Sequence, residues 1–354
     1  METLWFCLVG LMLACYVVFD GFDLGAGIVH LFVGRQDAER QAVIRSIGPV
    51  WDGNEVWLLA AGGTLYFAFP ALYATSFSGF YLPLMMVLWL LILRGCSIEL
   101  RSHVDSEAWR PFWDVVFSFS SALLAIFFGA ALGNVVRGVP YDESGRFFEP
   151  LWTDFRPLGE TGILDWYTIL VGLAAFAALA MHGALWVALK THDPIAARAR
   201  RAARLAWVGT AVLTAAVTAT TMRLQPQVLV NLERYPWGWA FPALSLAGLA
   251  GVWWCSLRRS DGRAFLSSAA FLVGMLGSAA FGIYPYVLPS VTGPERALTV
   301  TSAAAGEYGL RVGLVWWLIG MALVAAYFTF TYRRFAGRVA PAGSHESEEG
   351  YGAH

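Results

Sequence analysis

The sequence predicts an all-α polytopic membrane protein with nine transmembrane helices, and three observations predict it. Of 354 residues, 58% are hydrophobic and 14% are charged, against about 25% charged in an ordinary soluble domain. The mean hydropathy is +0.57, and 16 Trp with 24 Phe separate the chain from disordered, collagenous and disulfide-scaffold classes. The apolar residues also fall in runs long enough to cross a bilayer, which takes about 20 helical residues. A formal net charge of -1 offers no basic field for nucleic acid.

The first run, 4–33, follows an N-terminus, METLWF, with no Lys or Arg ahead of it, so it reads as a retained span and not a cleaved signal. The second, 50–69, opens after Pro49, and the third, 76–98, runs into Arg94 and Arg101. Spans follow at 111–135, between Arg110 and Arg137, and at 163–189, closing on Lys190. The run 203–222 lies between Arg201 and Arg223, and 238–257 between Arg234 and Arg258. The last two are 264–289, after Arg263, and 308–332, before Arg333. Connections are short except 136–162, which carries Pro140, Pro150, Trp152 and Pro157. Residues 1–338 thus read as one transmembrane domain and 339–354 as a polar cytoplasmic tail.

Basic residues orient the spans. One side receives Arg35, Arg40, Arg45, Arg94, Arg101, Arg110, Lys190, Arg198, Arg200, Arg201, Arg204, Arg258, Arg259, Arg263, Arg333, Arg334 and Arg338. The other receives only Arg137, Arg146, Arg156, Arg223, Arg234, Arg296 and Arg311. The bias predicts a cytoplasmic C-terminus and, with nine spans, an N-terminus outside.

Carboxylates within apolar helices point to chemistry, because an acid at mid-bilayer costs about 2.5–3.5 kcal/mol. Asp20 and Asp23 stand three apart in Asp20-Gly21-Phe22-Asp23-Leu24-Gly25 and share a helix face, while Gly21 and Gly25 form a small-xxx-small pair that admits a close neighbour. Asp52 and Glu55 repeat the spacing at the start of the second span. Both pairs fall on the cytoplasmic side of adjacent helices. Carboxylates gathered in a low dielectric do not all ionise, which is what a proton relay needs. Glu99 and His103, four apart at the end of the third span, extend the series. Structural roles compete: capping of the second helix by Asp52, a pair between Asp23 and Arg35, and a merely interfacial charged end for Glu99 and His103.

Other sites are not indicated. Cys7, Cys15, Cys96 and Cys255 lack CxxC spacing and read as small apolar residues. His30 and His182 are the intramembrane histidines, without the paired spacing of a bis-His haem helix. No nucleotide-binding, hydrolase or zinc-protease motif occurs.

Several runs together resemble subunit II of cytochrome bd-type quinol oxidases. The most specific is Pro49-Val50-Trp51-Asp52-Gly53-Asn54-Glu55-Val56-Trp57, preceded by Asp20-Gly21-Phe22-Asp23-Leu24-Gly25. Phe69-Pro70, Phe77-Ser78-Gly79-Phe80-Tyr81, Leu93-Arg94-Gly95, Gly133-Asn134, Gly138-Val139-Pro140, His182-Gly183-Ala184 and Tyr284-Pro285-Tyr286 continue it in order over about 4–335. The resemblance implies two four-helix bundles plus one peripheral helix. It implies a non-haem subunit partnered with subunit I, which carries two b-type haems and haem d, in a complex that oxidises quinol and reduces dioxygen to water. This subunit would stabilise subunit I and provide a cytoplasmic proton path, with Asp52 and Glu99 at the family's assigned positions and Asp20, Asp23, Glu55 and His103 as further candidates. Some relatives hold a structural quinone or a small single-span subunit; the sequence leaves both open, along with lipid and quinone contacts. The alternative, a proton- or cation-coupled transporter, requires paired broken helices in two inverted halves, and only one glycine-rich helix is evident.

Overall fold

The structure is a computed structural model that describes residues 1–157 and 159–339; the expected tail beyond Val339 lies outside the described residues. The helices are α1 (Glu2–Val33), α2 (Asp37–Ile47), α3 (Trp51–Ala68), α4 (Pro70–Gly79), α5 (Tyr81–Leu100), α6 (Trp109–Arg137), α7 (Trp166–Lys190), α8 (Ile195–Leu224), α9 (Gln227–Arg234), α10 (Ala240–Leu257), α11 (Asp261–Ile283) and α12 (Glu307–Arg334). Among the described residues, eight helices are long and apolar enough to cross a membrane, or nine if the bent pair α3–α4 counts as one span.

At the centre is α1. Every residue from Asp20 to His30 is buried, because α3, α6, α7 and α11 surround that stretch. Close approach depends on glycine. A Cβ on Gly25 would stand 1.9 Å from the Leu179 carbonyl oxygen, and one on Gly183 would stand 2.1 Å from the Gly25 carbonyl carbon. The small-residue stripe on α1 therefore receives α7, and any side chain there would force the helices apart. Further out, α5 packs on α6, α8 on α7, and α10 on α8 and α11. Flanking them, α12 is held by side chains: the Trp5 indole donates to the Leu310 carbonyl at 3.2 Å, and the Gly313 position meets the Phe67 ring.

Several boundaries differ from the sequence reading, and α8 begins at Ile195 where the sixth run starts at 203. Between the second and third spans the chain bends by 120° at Phe69, since Pro70 removes a backbone donor and starts a new helix with its fixed φ. The third span consequently begins at Tyr81 rather than 76. The eighth stops at Ile283 rather than 289; Pro285 ends it, and Tyr286–Leu288 instead pair antiparallel with Leu298–Thr299 as β1 and β2. Two short helices, α2 and α9, lie in segments read as loops. Between Gln36 and Glu39, α2 has a reciprocal capping box, and Glu39 also meets Arg198 of α8 at 2.7 Å. Burial alone would raise the Glu39 carboxyl, but Arg198 and the Arg35 and Gln36 amides hold it below its ordinary value.

Arg94 and Arg101, read as interfacial loop charges, are fully buried. Carboxylates from other helices face them and make burial affordable.

Candidate functional site

Three of the six carboxylate and histidine candidates, Asp20, Asp23 and Glu55, meet at the α1–α3–α5 junction. Asp20 on α1 and Arg94 on α5 form a two-point ion pair, Nη1 donating to Oδ2 at 2.7 Å and Nη2 to Oδ1. Neither side chain is exposed. Glu55 on α3 approaches the same guanidinium at 3.6 Å and remains 24% exposed. One turn along α1, Asp23 accepts from the Asn54 amide at 2.7 Å; its Oδ1 has no partner. The Asn54 oxygen in turn accepts from the Tyr332 hydroxyl of α12 at 2.9 Å. Beside Asn54 and Tyr332, a cavity of about 10 Å³ is lined by Pro49, Val50, Gly53 and Thr331, room for about one water.

Asp52 is exposed on the same face of α3 as Glu55, Val56 and Leu59. It occupies the first turn, where the helix dipole favours an acid, but the N-cap is Val50 and no side chain caps the helix. Asp23 does not meet Arg35; Asn54 has that role. Glu99 is exposed at the end of α5. His103 does not continue the helix face, because α5 ends at Leu100; its Nδ1–H donates to the Glu99 carbonyl at 2.8 Å instead. The helix ends remain close, with Gly95 against the Trp51 ring. The structure therefore brings Asp20, Asp23 and Glu55 together around Arg94 and Asn54, and leaves Asp52, Glu99 and His103 at the surface of the same end.

A second polar group at this end eluded the sequence reading. Asp114 on α6 is buried and accepts from Arg101 Nε at 2.6 Å, from Arg40 at 3.3 Å and from His30 at 2.7 Å. Arg101 also reaches Asp37 and Gln41 of α2, each at 2.6 Å. No local spacing links these residues; a buried Asp114 in an apolar run was the one available signal.

The two intramembrane histidines differ in what they leave free. His182 uses both ring nitrogens, on Ser268 at 2.7 Å and the Val18 carbonyl at 3.0 Å, and stacks on Phe265. His30 uses Nε2 on Asp114 and packs edge-on to Phe117, while its buried Nδ1 has no hydrogen-bond partner. Among the described residues, no three His, Cys, Asp or Glu side chains are grouped to hold a metal ion.

A family model described as cytochrome bd terminal oxidase subunit II matches residues 1–335. The chain is similar to a probable cytochrome oxidase subunit 2 of Haemophilus influenzae, 31% identical over 373 residues, covering 96% of this chain and 95% of the relative. Subunit 2 of the cytochrome bd-I ubiquinol oxidase of Escherichia coli K12 is 30% identical over 374 residues, with the same coverage. Subunit 2 of the Bacillus subtilis cytochrome bd ubiquinol oxidase is 30% identical over 339 residues, covering 96% and 97%. In fold, the chain resembles a chain of the bd oxidase from Geobacillus thermodenitrificans, with a TM-score of 0.75 at 18% identity, covering 94% of this chain and 98% of that one.

Proposed function

The chain belongs to the cytochrome bd terminal oxidase subunit II family, and from that premise we propose that it stabilises a haem-bearing subunit I and supplies a cytoplasmic proton path for the reduction of dioxygen to water. As a subunit of a quinol oxidase it is part of a respiratory oxidoreductase in a cell membrane. The complex is a haem enzyme; we assign the two b-type haems and haem d to subunit I, a reading supported by the committed ring nitrogens of His182. Haem supplies oxygen binding and electron chemistry there, and the residues of this chain bear on protons.

The observation that carries the proposal is Glu55. It reaches the buried Arg94–Asp20 pair from a face of α3 that also exposes Asp52, Val56 and Leu59. A carboxyl opening onto such a face at membrane depth needs a protein partner or water against it, and we propose that subunit I covers it. Protons then enter at Asp52 and Glu99, beside His103, and pass by Glu55 to the Asp20–Asp23 pair. Asp23 keeps an oxygen without a donor, the lone pair that a transferred proton requires. In this reading the arginine-rich end faces the cytoplasm, the N-terminus lies outside and the C-terminus inside. The single broken span among the described residues gives no support to a transporter with two inverted halves.

Asp52→Asn in the assembled complex tests the path. Intact haem bands and normal assembly with slowed oxygen turnover support it, whereas full turnover removes Asp52 from it. Glu55→Gln provides the same test one turn deeper.

A further inference from the structure

At the end of the molecule opposite Arg94, a second set of buried charges lies where the 138–165 loop meets α6 and α7. Arg137 closes α6 and pairs with Asp165, the N-cap of α7. Asp165 Oδ1 also accepts from the Tyr167 and Thr168 amides, each at 2.9 Å. Arg137 Nη2 donates to Asn134 Oδ1 at 2.7 Å and to Glu149 Oε1 at 2.7 Å. Glu149 comes from the middle of the loop, and its side chain is fully buried. Its second oxygen, Oε2, has no partner in hydrogen-bond geometry, and the Thr161 hydroxyl nearby favours the charged form only weakly against burial.

Two carboxylates thus share one guanidinium in a site closed to water. With both ionised, the group carries excess negative charge and an unsatisfied buried oxygen, a costly arrangement. A proton on Glu149 removes the excess.

We propose that Glu149 is a proton-binding site and that its proton latches the 138–165 loop onto the ends of α6 and α7. The charged groups that act on it are Arg137 from α6 and Asp165 from the head of α7. Burial raises the Glu149 carboxyl, Arg137 opposes, Asp165 adds to the shift and the Thr161 hydroxyl opposes it, and the outcome is a value of about 7.

The loop links this site to the broken span. Phe147, two residues before Glu149, packs against Phe80 with ring centroids 4.8 Å apart, and a Cβ on Gly79 would stand 2.2 Å from its ring. Gly79 and Phe80 form the corner between α4 and α5. On the other side, the Pro150 and Leu151 carbonyls accept from Ile163 and Leu164 at 3.0 Å, holding the loop to the approach to α7. Loss of the proton loosens both connections. This inference does not depend on the proton path proposed above.

The test is hydrogen exchange by mass spectrometry on the purified oxidase complex in lipid nanodiscs, from about pH 5 to about pH 9, with rates corrected for intrinsic pH dependence. In the wild type, peptides covering 138–165 and the α4–α5 corner should exchange several-fold faster above neutrality than below it. Glu149→Gln, which keeps the shape of the protonated side chain, should exchange slowly throughout. Asp165→Asn retains a capping oxygen and removes the competing charge, and should move the midpoint to lower pH. A flat wild-type profile, an unchanged rise in Glu149→Gln, or an unmoved midpoint in Asp165→Asn would overturn the proposal.

Discussion

Arg94 and Asp20, 74 residues apart in the chain, meet as a fully buried ion pair between α5 and α1, with Nη1 2.7 Å from Oδ2. Each alone is an expensive charge inside an apolar helix; together they satisfy one another and lock the two helices in register. Arg94→Met removes the cation and leaves a buried carboxylate, a change that costs about 3–5 kcal/mol in comparable pairs. We expect a lowered melting temperature or failed assembly of the complex, with much of the loss recovered in the Asp20→Asn, Arg94→Met double variant. Wild-type stability in Arg94→Met alone would show that the pair holds nothing together.

Asp114 gathers Arg101, Arg40 and His30 around one carboxylate. Among the described residues, Asp114→Asn takes the only carboxylate from Arg40 and leaves Arg101 with Asp37 alone, and the loss should approach about 3 kcal/mol. Because Arg40 belongs to α2 and Arg101 also holds Asp37 and Gln41, faster hydrogen exchange should concentrate in α2. Uniform exchange changes across the helices would argue against a tether.

Stability should depend on pH through Glu149. Its carboxyl lies at about 7 in the folded chain against an ordinary value of 4.5, so the folded state binds the proton more tightly than the unfolded one. The contribution is fully present below the ordinary value and is lost as pH rises through about 7. A melting temperature that falls across this window in the wild-type complex, and falls less in Glu149→Gln, is the expected result. Equal slopes in both would assign the dependence to other groups.

The orientation can be read by cysteine labelling in a background lacking Cys7, Cys15, Cys96 and Cys255. Asp193→Cys, in the exposed α7–α8 turn, should react only from the cytoplasm, and Ser144→Cys, in the exposed 138–165 loop, only from outside. The opposite pattern would place Asp52 and Glu99 on the wrong side for proton uptake.

The sequence by itself determined the class of protein and most of its spans, because bilayer thickness sets the length of an apolar run and the runs carry that length locally. It also marked Asp20, Asp23, Asp52 and Glu55, since acids in apolar surroundings stand out one residue at a time. Tertiary structure alone decided what those acids meet. Arg94 sits near the end of an apolar run and reads as a loop charge until folding brings Asp20 against it. Asn54 becomes a neighbour of Asp23 because α3 packs on α1, and Tyr332 joins them because α12 returns along α3. The bend at Phe69 and the stop at Ile283 were hidden for a related reason: apolar composition continues through both, while Pro70 and Pro285 interrupt the backbone. Which charge pairs with which is a non-local outcome of packing, and run length does not encode it.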